Sequence, residues 1–374
     1  MYLKNLKITN FRNYSAAELD FSAATNVLIG ENAQGKTNLL EAIYVLALTR
    51  SQRTNNDHEL IKIGQPFAVI KGELLTRTGA VKFEITLNNK GKTAKINQLE
   101  QAKLSQYVGK MNVVLFAPED LLLVKGSPNV RRKFIDMEFG QIDSHYLYDL
   151  GQYKVVLKQR NRYLKQLQQK KATDLLLLDV LSDQLAAFGA EIIVKRIEFL
   201  EKLSAFADQL QQKITQQKEQ LVLKYDSSLF TESAPQKNVD QLYQLLKNKY
   251  ASNREKEIFQ GNTLFGPHRD DFKFLVNQQN VQLYGSQGQQ RTAALAVKLA
   301  EVDLIKQQIG EYPILLLDDV FSELDGKRQT NLLRVFEQKV QIFLTTPSMN
   351  DIARQLIKDP KIFKIQQGQA AVQK

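Results

Sequence analysis

Cysteine is absent from this 374-residue chain, which excludes disulfides and thiolate metal sites and fits a reducing cytoplasm. No apolar run approaches the roughly 18 residues that a membrane-spanning helix needs. The opening MYLKNLKITNF alternates like a strand where a signal peptide would place an apolar block. A soluble, cytoplasmic protein is therefore expected. Proline is missing from the whole interval between Pro128 and Pro235, so no proline there interrupts a long helix. Acidic residues are in deficit, 40 against 51 Lys and Arg, for a net charge of +11. Such an excess favours a polyanionic partner, because basic side chains that neutralise phosphates release counterions. The alternative is a soluble protein that is merely basic.

What is present falls into three stretches, and the length implies two lobes. In residues 1–120, VKFEITL (Val81–Leu87) alternates as a half-buried strand. The turn at Arg77–Gly79 predicts an antiparallel hairpin with the preceding FAVIKGELL. NVVLFAP (Asn112–Pro118) reads as a buried strand stopped by its proline. In the proline-free middle, Leu178, Leu181, Leu185, Phe188 and Ile192 recur at three and four residues. Ile197, Leu200, Leu203, Phe206, Leu210 and Ile214 continue the stripe. This predicts a long amphipathic helix in a helical lobe, its stripe buried as core. From about Asp271 strands return: DFKFLV and VQLY around NQQN suggest a hairpin. A helix over Thr292–Ile309, a buried strand ILLLDD, a helix after Gly326 and a buried strand QIFLTT follow. Strands alternating with helices argue for a parallel α/β sheet. The expected plan is an α/β lobe built from residues 1–120 and 266–374, with a mainly helical lobe, 121–265, inserted.

Residues 30–37, GENAQGKT, fit G-x-x-x-x-G-K-[ST] between a strand and a helix. Gly30 lets the chain leave the strand in a tight turn, and Gly35 lets backbone approach phosphate. The N–H groups along Glu31, Asn32, Ala33, Gln34 and the first helical turn cradle phosphate oxygens. Lys36 reaches the β and γ phosphates of ATP, and Thr37 offers its hydroxyl to Mg²⁺. A metal anchor comes from YPILLLDDVFSELD: a buried strand delivers Asp318 to hold Mg²⁺ and Asp319 to orient or activate the attacking water. Lys36 and Asp319 are thus the candidate catalytic residues. A third element, YGSQGQQRT (Tyr284–Thr292), opens a helix with free N–H groups and a hydroxyl. Alone it reads as a glycine-rich helix cap. Beside a phosphate loop the economical reading is that Ser286, Gly288 and the adjoining Gln289 meet the γ-phosphate of ATP held by an opposite subunit.

These three segments, in this order, resemble the ABC-type ATPase heads of the structural-maintenance-of-chromosomes class, with SQGQQ at the signature loop and SELD (Ser322–Asp325) at the D-loop. LKNLKITNFRNY, RSQRTNNDHELI, VVLFAPEDLLLVKGSPNVRRKFID, GPHRDD and YGSQGQQRTAALAVKLAE are similar to the RecF family of bacterial DNA replication and repair proteins, over nearly the whole chain. The resemblance implies a P-loop NTPase of ABC-ATPase head type. It implies a weak, DNA-stimulated ATPase that closes into an ATP-bound homodimer on single-stranded, gapped or duplex DNA without sequence preference. Partnership with RecR and RecO in loading RecA is implied too. It places Arg12 near the nucleotide base or ribose. His268, Arg269 and Asp270 read either as lobe-contact or switch residues or as a satisfied structural network. Arg131, Arg132 and Lys133 read either as DNA-phosphate contacts or as an ordinary solvated helix start.

Three features depart from the pattern. IFLTTPS carries Thr345 and Thr346 where ABC heads have a switch histidine, and Asp319 stands where they prefer glutamate. Both changes suggest slow hydrolysis. Gln52 in RSQRT replaces an expected histidine, so no role is carried over there. Two other function classes compete: a transport or metabolic P-loop enzyme, opposed by the +11 charge, and a non-hydrolysing scaffold, opposed by Asp319.

Overall fold

The computed structural model describes residues 1–230, 237–319, 339–348 and 359–373. The expected helix after Gly326 and the SELD segment lie outside these. The chain divides into two compact units, Met1–Asp120 with Leu295–Lys374, and Leu121–Ala294.

The first unit carries two six-stranded sheets. One is antiparallel and follows from alternation: Tyr14–Asp20, Tyr2–Phe11, Phe67–Thr76, Gly79–Asn88, Gly91–Ile96 and Leu99–Glu100, in that order. The expected hairpin pairs Phe67–Thr76 with Gly79–Asn88 from Phe67↔Asn88 to Thr76↔Gly79. The second sheet runs Gln369–Val372, Lys361–Gln366, Thr25–Ile29, Ile342–Thr346, Ile314–Leu317, Val113–Phe116, and is parallel except for its C-terminal hairpin. The strands Val113–Phe116, Ile314–Leu317 and Ile342–Thr346 are buried at every residue, as unbroken apolar runs in a covered parallel sheet must be. Helix Lys36–Leu48 touches strands of both sheets. Eleven of its 13 residues are buried, so it is apolar nearly all round and lacks a solvent face.

The second unit joins helices Pro128–Ile142, Ser144–Gln168, Leu175–Thr215, Val239–Ser252 and Arg254–Gln260 to a three-stranded antiparallel sheet. The predicted amphipathic helix is one 41-residue element, capped by the Asp174 side chain accepting from the N–H of Leu176. Its leucine and isoleucine stripe is core, while Phe188, Phe206 and Ile214 at its margin are half-buried. Two expectations need correction. The sequence returns the chain to the α/β lobe at residue 266, yet Asp271–Val276 pairs along its whole length with Leu221–Asp226, a strand hidden in the helical stretch, and the compact unit runs to Ala294. VQLY is not the second arm of a hairpin: only Gln279–Asn280 pairs back, and Val281–Tyr284 is a helical turn capped by Asn280.

Candidate nucleotide-binding site

The phosphate-loop strand Thr25–Ile29 ends in Gly30, and helix Lys36–Leu48 starts six residues later. Gly35 sits at φ 116°, a conformation open to glycine and strained for other residues. At Gly30 the reason for glycine is packing and not a turn, because a Cβ there would stand 2.3 Å from the carbonyl oxygen of Ile365. The Lys36 ammonium donates to the carbonyls of Gly30 at 2.5 Å and Glu31 at 2.8 Å, so the side chain folds back over the loop. Burial lowers the Lys36 pKa, and the nearby Asp319 and Asp318 carboxylates oppose this.

Strand Ile342–Thr346 stands between the strand of the acid pair and that of the phosphate loop, and it supplies the link between them. Asp318 Oδ1 accepts the Thr37 hydroxyl at 3.0 Å and the Thr345 hydroxyl at 2.8 Å. The Thr345 oxygen in turn accepts the N–H of Asp319 at 2.8 Å. Burial raises the Asp318 pKa, the two hydroxyls oppose it, and the charges of Glu119 and Asp319 push it further up. A divalent cation relieves that crowding of negative charge. A hydroxyl oxygen and a carboxylate oxygen are the hard donors that Mg²⁺ takes together with substrate phosphates, so the residues present fit the ion. Asp319 has φ 49°, an uncommon conformation for a residue with a side chain, of the kind held at functional sites.

A supporting layer escaped the sequence reading. Tyr14 donates its hydroxyl to the Gly35 carbonyl at 3.0 Å, and the Asn13 amide donates to the Gln34 carbonyl at 3.1 Å. From the C-terminal hairpin, the Gly368 N–H donates to that same carbonyl and the Gln367 N–H to the Gln34 side chain. The loop is thus braced by turns more than 300 residues apart, which no local pattern reveals. Arg12 is held by a bidentate pair with Glu41, both contacts at 2.8 Å, and donates to the Glu59 carbonyl. Glu41 is fully buried on the phosphate-loop helix and also accepts the Ser51 hydroxyl. Arg12 therefore reaches this region through Glu41.

Ser286, Gly288 and Gln289 belong to the second unit, at the start of helix Gln287–Ile309. Ser286 N–H donates to the Gln289 side chain at 2.9 Å and Gln289 N–H to the Ser286 hydroxyl at 3.2 Å, a reciprocal capping box. Ser286 is exposed, a Cβ at Gly288 would meet nothing nearer than 3.8 Å, and the Gln289 side chain also donates to Glu219 at 3.0 Å.

GPHRDD forms a satisfied network inside the second unit. Arg131, 2% exposed, makes a bidentate pair with Asp271 and caps three carbonyls of residues 123–126, which removes it from DNA contact. Asp270 accepts the hydroxyls of Tyr225 and Ser227, each at 2.6 Å. His268 hydrogen-bonds the Tyr153 hydroxyl at 2.6 Å. Arg132 donates to the Asp270 carbonyl, while Lys133 is exposed.

A phosphate loop and an acid pair from opposite ends of the chain, brought one strand apart in a single sheet with a helical unit encoded between them, make this the ATPase head of the ABC type. The model of the RecF/RecN/SMC N-terminal domain matches residues 2–371. The DNA replication and repair protein RecF of Ligilactobacillus salivarius is 58% identical over 368 residues, 98% of this chain and 97% of the relative; that of Enterococcus faecalis is 55% identical over 372 residues, 98% of each. The chain belongs to the RecF family. A solved structure of the recombination mediator protein RecF with ATP in the RecFOR pathway superposes with a TM-score of 0.92 at 34% identity, covering 100% of this chain and 98% of that one. An Smc head domain from Pyrococcus furiosus gives 0.55 at 16% identity, covering 100% and 96%, and shares the fold.

Proposed function

We propose that this chain is an ATP-driven switch of cytoplasmic DNA repair and replication restart, which binds DNA, closes into a homodimer on ATP and opens after hydrolysis. The observation that carries it is the convergence of Thr37 and Thr345 on Asp318, with Lys36 and Asp319 beside them. The loop from Gly30 to Thr37 holds the phosphates of ATP through backbone N–H groups, and the Lys36 ammonium takes the β and γ oxygens. Thr37 and Asp318 hold Mg²⁺, which when bound neutralises phosphate charge. Asp319 orients the attacking water and accepts its proton; Thr345 fixes the backbone at Asp319. Arg12 is tied to the middle of the phosphate-loop helix through Glu41 and lies on the side of the nucleoside.

Ser286, Gly288 and Gln289 contact the γ-phosphate of ATP bound to the partner subunit. Slow hydrolysis, stimulated by DNA, suits a switch. The net charge of +11 supports sequence-independent binding to single-stranded, gapped and duplex DNA. Family membership and a close structural relative from the RecFOR pathway support RecR and RecO as partners and RecA loading as the outcome. Sizing the protein with ATP and Mg²⁺, with and without duplex DNA, while following phosphate release, tests the reading. A nucleotide-dependent dimer, DNA-stimulated release and a steep fall of DNA affinity with salt are expected. A monomer under all conditions, or no phosphate release, counts against it.

A further inference from the structure

We propose that the second unit carries its own single-stranded DNA site: a basic stripe on helix Ser144–Gln168 that leads to the exposed ring of Phe259. The inference rests on the DNA-binding reading above and assigns part of it to a surface. Residues 150–173 contain seven Lys and Arg and no Asp or Glu. Arg160 is consumed in a buried pair with Glu257, and Lys154 in a pair with Asp136. The remaining five, Lys158, Arg162, Lys165, Lys170 and Lys171, are exposed. Among the described residues none of their charged groups has a hydrogen bond or an ion pair. Lys158, Arg162 and Lys165 are spaced by four and three, hence on one helix face, opposite the buried Tyr153, Val156, Tyr163, Leu164 and Leu167. They span about 10 Å along the helix.

At the end of this stripe the C-terminus of helix Arg254–Gln260 rests on the same helix. The Gln168 amide donates to the Phe259 carbonyl, and Gly261 lies against Lys165 and Gln168. Phe259 is 80% exposed there. Nearby acids are engaged, Asp179 with Arg254 and Asp174 as a helix cap; Glu255 is exposed on the short helix. A solvated face explains scattered lysines, but not the exclusion of every carboxylate from 24 consecutive residues beside a large bare aromatic ring. Cations that track a backbone, followed by an aromatic platform on which any base stacks, are the two components of sequence-tolerant single-strand binding. A duplex keeps its bases stacked and meets only the cations.

The test uses full-length protein and two 20-nucleotide probes, oligo(dT) and a duplex of equal length, titrated by fluorescence anisotropy at several salt concentrations. Replacing Lys158, Arg162 and Lys165 together by Gln should flatten the slope of log affinity against log salt for oligo(dT) by about 2, at roughly 0.7 per lost phosphate contact. A control with Lys213, Lys218 and Lys224 changed to Gln, an equal loss of charge on exposed residues of the same unit, should leave it unchanged. Phe259→Ala should weaken oligo(dT) roughly five- to 150-fold, the range for one stacked base, and spare the duplex. Because the chain has no tryptophan, Phe259→Trp adds a single reporter whose emission should fall when oligo(dT) binds. Equal slope changes in both triple variants, an unaltered slope in the first, equal losses on both probes for Phe259→Ala, or unquenched Trp emission overturns the site. If the wild-type protein binds neither probe, the DNA-binding reading itself fails, which is a distinct result.

Discussion

At the scale of single residues, the site depends on groups whose size and polarity admit little exchange. Lys36 packs its ammonium within 2.8 Å of two loop carbonyls. In Lys36→Arg a broader, planar guanidinium replaces that compact charge. ATP binding should persist, while phosphate release falls on the order of 100-fold, as when a single electrostatic contact to a transition state is lost. Unchanged release in the purified variant would remove Lys36 from the mechanism. Thr345 offers a finer test. Its hydroxyl donates to Asp318 and accepts from the Asp319 backbone, so Thr345→Val keeps the shape and deletes both bonds. Hydrogen bonds to charged groups contribute about 1.5–3 kcal/mol. Turnover should therefore drop roughly 10- to 100-fold with little change in ATP affinity measured by calorimetry. A variant that turns over like wild type would reduce Thr345 to a packing residue. Sequence showed Thr345 only as the place where a histidine is missing; its bridging role appears once strand Ile342–Thr346 is seen between the other two strands.

At the scale of elements, the GPHRDD turn couples two buried groups with opposite preferences. Burial pushes Asp270 from its ordinary 3.8 up to about 6. Its contribution is full below pH 3.8 and is lost as pH rises through about 6. Burial pushes His268 from 6.5 down to about 4, so its contribution is full above pH 6.5 and is lost as pH falls through about 4. Each shift corresponds to something on the order of 3 kcal/mol, and between pH 4 and 6 the two oppose each other. Urea midpoints of wild type across that window should hardly move on their account. Asp270→Asn should leave midpoints that rise with pH, and His268→Gln midpoints that fall. Parallel slopes in the two variants would contradict this pairing. Elements with strong local periodicity, such as Leu175–Thr215 and the Phe67–Asn88 hairpin, were legible in the sequence. Leu221–Asp226 was not, because its pairing partner lies 45 to 55 positions away and a strand that short has no register of its own. The loop, its lysine and the acid pair were legible for the same reason as the long helix, being contiguous motifs. The braces from Asn13, Tyr14 and Gln367–Gly368 were not, because they reach the loop only through the folded sheet order.

At the scale of the whole molecule, the remaining question is whether two heads share their nucleotides. Ser286 is exposed, among the described residues its side chain is engaged with its own helix cap, and Gly288, two positions on, has open space around it. On the shared-site reading, this loop receives the γ-phosphate of ATP on a partner subunit. ATP and Mg²⁺ should then produce a dimer that falls apart after hydrolysis, because loss of the γ-phosphate removes the contact holding the two loops together. Ser286→Arg places a long charged side chain in that contact. It leaves the cradle around Lys36 untouched, so ATP binding by the monomer should stay near wild type while dimerisation and hydrolysis are lost. Lys36→Met has the reverse defect, a damaged cradle with an intact signature loop. Mixing the two variants decides the matter. In a mixed dimer one site combines both defects, and the other joins a sound cradle to a sound signature loop, so phosphate release should reappear in the mixture although each variant alone is inactive. A mixture that stays inactive while circular dichroism shows both variants folded, or a Ser286→Arg protein that still dimerises on ATP, reduces SQGQQ to a helix cap and leaves each head to act alone.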